Sequence, residues 1–204
     1  MTLFSEAKYK FLPLSEGDDI PTQLFLHACS EIVPFFDVLG STAFMPVKSD
    51  INGNIQRLQT QYDTAPDQFP TLQSIVDSEI SAGTNKGSKS CTVGLLWLKR
   101  ALEFICVFLE SAVGGEEDLV KCANKAYDES LRKYHGWIVK GIFSVAVRAV
   151  PYHKDFVTAL KKDASVSSET LYSDMQAALT PLRETINELN RFYTLRGQHS
   201  DDTV

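Results

Sequence analysis

Residues 91–113, CTVGLLWLKRALEFICVFLESAV, form the longest apolar run of the chain, and Lys99, Arg100, Glu103 and Glu110 interrupt it. Charges in mid-span are expensive in lipid, which argues against a membrane span. A helix that is apolar on nearly every side must instead be surrounded by other elements. The run therefore predicts a central helix over about residues 90–112, and a fold arranged around it. Trp97 is its unusual member, a large flat aromatic set beside two cations.

The flanking sequence reads as further helices separated by short punctuated loops, with no convincing run of alternating strand residues. Pro21–Thr22 and Gly40 bracket a helix whose stripe is Phe25, Cys29, Ile32, Phe36 and Leu39, with Pro34 expected to kink it. A second helix covers about 46–62, with Val47, Ile51, Ile55, Leu58 and Tyr62 on its apolar side. A third runs over about 69–82 and ends in SAGTNKGSKS; the central helix ends at VGGEED. A helical pattern fills about 117–149, with the glycines of HGWIVKGIF as points of bending, and stops at Pro151. Two more helices follow, over about 153–162 and 167–195. The expectation is an all-α single domain of about eight helices over residues 1–204, with loosely ordered tails at 1–19 and 197–204.

Composition narrows the function. A formal net charge of −6 disfavours nucleic-acid binding, which needs a basic face, and docking driven by anionic lipid charge. Cys29, Cys91, Cys106 and Cys122 form no CxxC pair and read as reduced, buried thiols of a cytoplasmic protein. The four histidines, at 27, 135, 153 and 199, lack metal-ligand spacing. The first residues, MTLFSEAKYKFLPL, lack the apolar core of a signal peptide. Nucleophile-elbow, phosphate-loop, zinc-protease and dinucleotide motifs are absent, so neither an enzyme nor a bound cofactor is expected.

Three segments carry chemistry. Asp50, Asn54 and Arg57 repeat the spacing of the second helix's apolar stripe, each one residue ahead of it, so they form a polar stripe beside the buried face. That stripe fits an ordinary solvated flank or a polar binding edge. Gly53 in its middle disfavours helix by about 1 kcal/mol, which a close-approaching helix or ligand would explain. Trp97 fits a partly buried core aromatic, or a platform on which the C–H face of a sugar stacks while Asp, Asn and Arg bind its hydroxyls. In KYHGWIVKGIF, His135 fits a satisfied core histidine or a ligand contact, and Trp137 fits core or an anchor at a membrane interface.

Taken together, FFDVLGSTAFMPVKSDINGNI, LLWLKRALEFICVFL, KYHGWIVKGIFSVAVRAVPY and DFVTAL resemble the glycolipid transfer protein family, clearly over about residues 20–160 and more loosely over 165–195. The resemblance implies a two-layer helical sandwich with a cavity for lipid chains and a glycosphingolipid headgroup at its surface. By its D-x-x-x-N pattern, Asp50 meets the ceramide amide and sugar hydroxyls, and Asn54 meets sugar hydroxyls. Arg57 stands where the family has lysine, which keeps the charge and changes the donor geometry. Trp97 becomes the sugar platform and His135 the partner of the ceramide carbonyl. Trp137, joined by Tyr152, becomes the membrane contact, and Phe35, Phe36, Leu39, Phe44, Phe104, Phe108 and Phe143 line the cavity.

The start, DDIPTQLFL, and the tail resemble the transfer domain of a larger phosphoinositide-adaptor protein, and the C-terminal tyrosine that closes the site in some members is missing from GQHSDDTV. Ceramide-1-phosphate carriers of the family have arginine at the position of Trp97, so a neutral sugar is expected here. The implied protein is a monomeric, cytoplasmic carrier that touches membranes transiently. The alternatives are a glycolipid sensor acting through a partner, a ceramide-1-phosphate carrier, and an all-α interaction scaffold.

Overall fold

The computed structural model describes residues 1–40, 42–201 and 203. These residues form α1 (Leu3–Glu6), α2 (Thr22–Ile32), α3 (Phe35–Gly40), α4 (Met45–Thr64), α5 (Leu72–Ala82), α6 (Cys91–Val113), α7 (Leu119–Ser130), α8 (Trp137–Ala146), α9 (His153–Lys161) and α10 (Ser168–Arg196). Short 3₁₀ turns cover Arg132–Tyr134 and Val147–Ala149. Eight of the α-helices have nine or more residues, and together the helices make a two-layer sandwich. An isolated bridge between Pro21 and Thr71 is the one β-pairing among the described residues. It clasps the starts of α2 and α5, where Thr22 also donates to the Phe69 carbonyl and the backbone of Ile20 to Gln73.

The apolar run is α6, and it sits at the centre against α4, α5, α7 and α10. Leu95, Leu98, Ile105, Cys106 and Phe108 have no exposed surface, and burying a large apolar side chain stabilises by about 1.5–3 kcal/mol. The charges that exclude a membrane span each find a partner inside the fold. Lys99 donates to Asn190 of α10, and Glu103 and Glu110 share Arg183 of α10 at 3.3 and 2.6 Å. The helix starts at Ser90, whose hydroxyl accepts from the backbone of Val93. Glu79 of α5 accepts from the backbone of Cys91 and Thr92 at 2.7 and 2.8 Å, so a carboxylate meets the positive end of the α6 dipole.

Three local expectations are corrected. Pro34 breaks its helix rather than kinking it: α2 ends at Ile32 and α3 restarts at Phe35, because proline removes a helical donor and restricts the residue before it. The 117–149 pattern is divided, since His135 and Gly136 are extended and separate α7 from α8. The 1–19 segment is pinned to α10 rather than loose. Thr2 is fully buried and donates to Asp174, while the backbones of Leu14 and Gly17 donate to Glu184 and Glu188. The residues after α10 are also held through 200: the Gln198 side chain accepts from Asn85 at 2.6 Å, and Arg100 donates to the Ser200 carbonyl.

Candidate lipid-binding site

α4 and α6 run antiparallel, with Asp50 near Trp97 and Ala101 at a cavity wall and Arg57 level with Ser90 and Gly94. α7 and α8 close the other side. The cavity is about 380 Å³ and mainly apolar. Of the seven apolar residues assigned to it from sequence, Phe36, Phe44, Phe104 and Phe143 line it. Phe35, Leu39 and Phe108 stand one layer deeper, where Phe35 meets Phe108 edge-on at 5.4 Å. Val47, Ile51, Ala101, Leu131, Val139 and Ile142 also line it. Stripe spacing marked Val47 and Ile51 as buried, without showing that they face a cavity.

Asp50 of α4, Trp97 of α6 and His135 of the extended break between α7 and α8 come together at this cavity. The Trp97 and His135 rings lie nearly parallel, 17° apart with centroids at 5.9 Å. The Arg100 guanidinium covers the Trp97 ring at 4.7 Å and the Tyr134 ring at 3.2 Å. Trp97 is partly buried and borders the cavity. Asp50 is exposed on one side. The apolar wall on its other side pushes its carboxyl above the ordinary value, and Arg57 partly offsets this. Asn54 donates to Asp50 Oδ2 at 3.2 Å, while Oδ1 has no hydrogen-bond partner among the described residues.

His135 owes its place to the α7–α8 break. Burial, then Lys140 and Arg100, push its pKa below the ordinary histidine value, so the ring is neutral at pH 7. Its Nδ1 lies 3.0 Å from the Tyr127 hydroxyl. With that hydroxyl donating, Nε2 carries the proton and is the ring's donor to a ligand. Tyr127 also stacks on Phe143 at 3.7 Å, so one residue joins the apolar floor to the polar rim.

Asn54 and Arg57 are not in the cavity wall. Asn54 is buried in the α4–α6 seam, and Arg57 donates to the Ser90 carbonyl at 3.4 Å. The glycine that admits them is Gly94 of α6. A Cβ there would stand 3.0 Å from Arg57 Nη1 and 3.3 Å from Asn54 Oδ1. Gly53, expected to mark a close approach, has nothing within 4 Å of its own Cβ direction. Sequence reasoning attended to the glycine inside the polar stripe and missed the one facing it. Gly94→Ala should therefore melt within a few degrees of wild type, because about 1 kcal/mol of helix propensity offsets the crowding. Arg57 must move in that variant, so headgroup binding should fall. A calorimetric melt and a lipid-binding titration check the two halves separately.

Trp137 and Tyr152 are not in the cavity wall, and they are the most exposed large hydrophobic side chains among the described residues, at 83% and 85%. Ile138 and Val145 extend the apolar outer face of α8, and the half-exposed Ile142 spans from that face to the cavity. No helix among the described residues is long and apolar enough to cross a membrane.

A helical sandwich holding an apolar cavity, with a ring-stacked polar group at its edge, has the design of a lipid-binding protein. Residues 20–162 match the model of the glycolipid transfer protein (GLTP) family, and the chain belongs to that family. It is 39% identical over 210 residues to rat pleckstrin homology domain-containing family A member 8 and 38% identical to the human protein. These alignments take in 100% of the chain and 40% of each relative, so the chain spans about two fifths of their length. Among solved structures, that of FAPP2, described as selecting simple glycosphingolipids with the GLTP fold, superposes with a TM-score of 0.92 at 38% identity over the whole of both chains. The fungal glycolipid transfer protein HET-C2 follows at 0.84 and 35%, over 95% of this chain and 97% of its own. Mouse ceramide-1-phosphate transfer protein shares the fold at 0.81, with 22% identity over 96% of this chain and 94% of its own.

Proposed function

We propose that the chain carries glycosphingolipids between membranes, with the hydrocarbon in the α4–α6–α8 cavity and the sugar–amide headgroup on Asp50, Asn54, Arg57, Trp97 and His135. The observation that carries the reading is the meeting of Asp50, Trp97 and His135 at an apolar cavity. Asp50 Oδ1 accepts from the amide and a sugar hydroxyl, His135 Nε2–H donates to the amide carbonyl, and the Trp97 ring takes the sugar's C–H face. Asn54 and Arg57 orient Asp50 and extend the polar edge.

Moving a ceramide with about 30 chain carbons through water costs about 0.8 kcal/mol per CH₂, more than 20 kcal/mol in all. A cavity as apolar as the bilayer removes most of that cost. Discrimination then rests on the polar rim, where an unmatched buried group costs about 1–3 kcal/mol. The carrier step makes and breaks no covalent bond and uses no cofactor. The four buried free thiols fit a reducing, cytoplasmic setting.

Vesicle assays with labelled galactosylceramide and ceramide-1-phosphate test the reading. Fast transfer of the first and slow transfer of the second is the expected result; transfer of neither would favour a sensor. Trp137 and Tyr152, with the outer face of α8, hold the cavity mouth to a membrane. Trp137→Ala should keep lipid binding and slow transfer about tenfold, the scale of one aromatic side chain withdrawn from the interface. Unchanged partitioning onto vesicles would remove Trp137 as the anchor.

A further inference from the structure

A second apolar cavity, about 450 Å³, lies under the N-terminal segment. Phe4 and Phe11 of that segment line it, with Ala28 and Ile32 of α2, Leu109 of α6 and Ala178 of α10. The segment is tied to α10 on both sides of this cavity, by the Thr2 hydroxyl on Asp174 and by the backbones of Leu14 and Gly17 on Glu184 and Glu188.

The two cavities are separated by a wall of aromatic side chains. Along α6 the lining passes from Trp97, Ala101 and Phe104 of the first cavity to Leu109 of the second, with Phe108 between. Along α2 and α3 it passes from Ile32 of the second to Phe36 of the first, with Phe35 between. Phe35, Phe108 and Phe156 border neither cavity, and their rings meet edge-on, at 5.4 Å for Phe35–Phe108 and 5.7 Å for Phe108–Phe156.

Length makes this wall consequential. The first cavity reaches from Trp97 to Phe104, about 10 Å along α6 at 1.5 Å per residue. A chain that fills one leaflet of a bilayer reaches about 15 Å, half of the hydrocarbon core. Such a chain, running down α6 from the Trp97 rim, meets Phe108 before its end. From Trp97 to Leu109 the same helix covers about 18 Å, so apolar space resumes where the chain still has length to place.

We propose that the second cavity takes the distal end of a long acyl chain, and that Phe35, Phe108 and Phe156 form the gate that decides which chains reach it. The inference deepens the glycolipid-carrier reading and rests on it for its consequence in transfer. A chain short enough to end before Phe108 leaves the wall closed. A longer chain turns the rings aside and lays its last methylenes against Ile32, Leu109 and Ala178, under the N-terminal segment.

Ala178→Phe and Ala28→Leu, which fill the second cavity from α10 and from α2, test it. Galactosylceramides with dodecanoyl and tetracosanoyl chains are transferred between phosphatidylcholine vesicles by the wild type and by each variant. The ratio of long-chain to short-chain transfer should fall at least tenfold in both variants, the equivalent of about two methylenes refused their apolar space. Short-chain transfer should stay at the wild-type rate, which also shows that the variants are folded. A ratio unchanged in both variants would overturn the inference and leave the carrier reading intact. In a second assay, the wild type is irradiated with tetracosanoyl galactosylceramide that carries a diazirine at the chain end, and the labelled residues are read by mass spectrometry. Labels on residues 3–13 or 177–182 are expected. Labels confined to α4 and α8 would mean that the chain folds back within the first cavity, and no label would mean that the chain is not held; either result overturns the inference. Transfer of neither lipid by the wild type would sink the carrier reading, and the labels would still decide whether the second cavity takes a chain.

Discussion

Asp50→Val is expected to cut galactosylceramide transfer by about 100-fold while lowering the melting temperature by only a few degrees. Two hydrogen bonds to a charged acceptor, from amide and sugar, contribute about 1.5–3 kcal/mol each. Losing about 3 kcal/mol between them corresponds to roughly a factor of 100. Asp50 is exposed on one side, so valine opens no hole in the core. The variant also deprives Asn54 of the oxygen that its amide meets at 3.2 Å. Asn54 is buried and cannot turn to water for a replacement, so the polar edge loses its orientation along with its charge. Asp50→Asn keeps the shape and one acceptor oxygen, and should fall between valine and wild type. Vesicle transfer of the three proteins, with a thermal melt of each, provides the check. A valine variant within threefold of wild type would mean that the carboxylate does not hold the headgroup.

Trp97→Ala should reduce transfer at least tenfold, for two separable reasons. The sugar loses its platform, and the Arg100 guanidinium loses one of the two rings that it lies over. Aromatic stacking is worth about 0.5–1.5 kcal/mol beyond the area buried. Because Trp97 is only half-buried, a folding cost of about 1 kcal/mol is expected, or roughly 2–4 °C in melting temperature. Trp97→Phe separates the two reasons: it restores a ring for Arg100 and offers the sugar a smaller face. Binding of the free glycolipid, followed by the quenching of Trp97 itself in the wild type, reads the platform directly. Wild-type transfer by the alanine variant would reduce Trp97 to a packing residue.

Periodicity and punctuation located the long helices closely, since α4, α5, α6, α9 and α10 each depend on a local pattern. Features that depend on distant partners were not legible. The buried Thr2 is explained by Asp174, 172 residues away, and no property of MTLFSEAKYK announces that bond. The importance of Gly94 rests on Arg57 lying across it. Within CTVGLLWLKR, Gly94 reads as one more small residue of an apolar helix. His135 had the opposite difficulty. Its neighbours read as continuous helix, yet it lies at a break whose extended backbone carries the ring toward Trp97 and Tyr127. The deeper Phe35, Leu39 and Phe108 show the limit of assigning cavity residues from apolar sequence alone. Burial is written in the spacing, but which buried side chains border empty space is decided by how the layers meet.

In the proposed carrier, the stack of Tyr127 on Phe143 couples loading to docking. Phe143 belongs to the inner face of α8, and Trp137 starts the same helix on its outer side. Tyr127 in turn holds His135, to which the proposal assigns the ceramide carbonyl. A chain that presses Phe143 aside changes how α8 offers itself to a bilayer, and a bilayer that draws α8 outward loosens the grip on the chain. Thermodynamic reciprocity requires the two effects to be equal in factor. On the proposed reading, such a carrier needs no fuel to tell a donor surface from an acceptor surface, because its empty and filled forms are expected to differ in how long they stay.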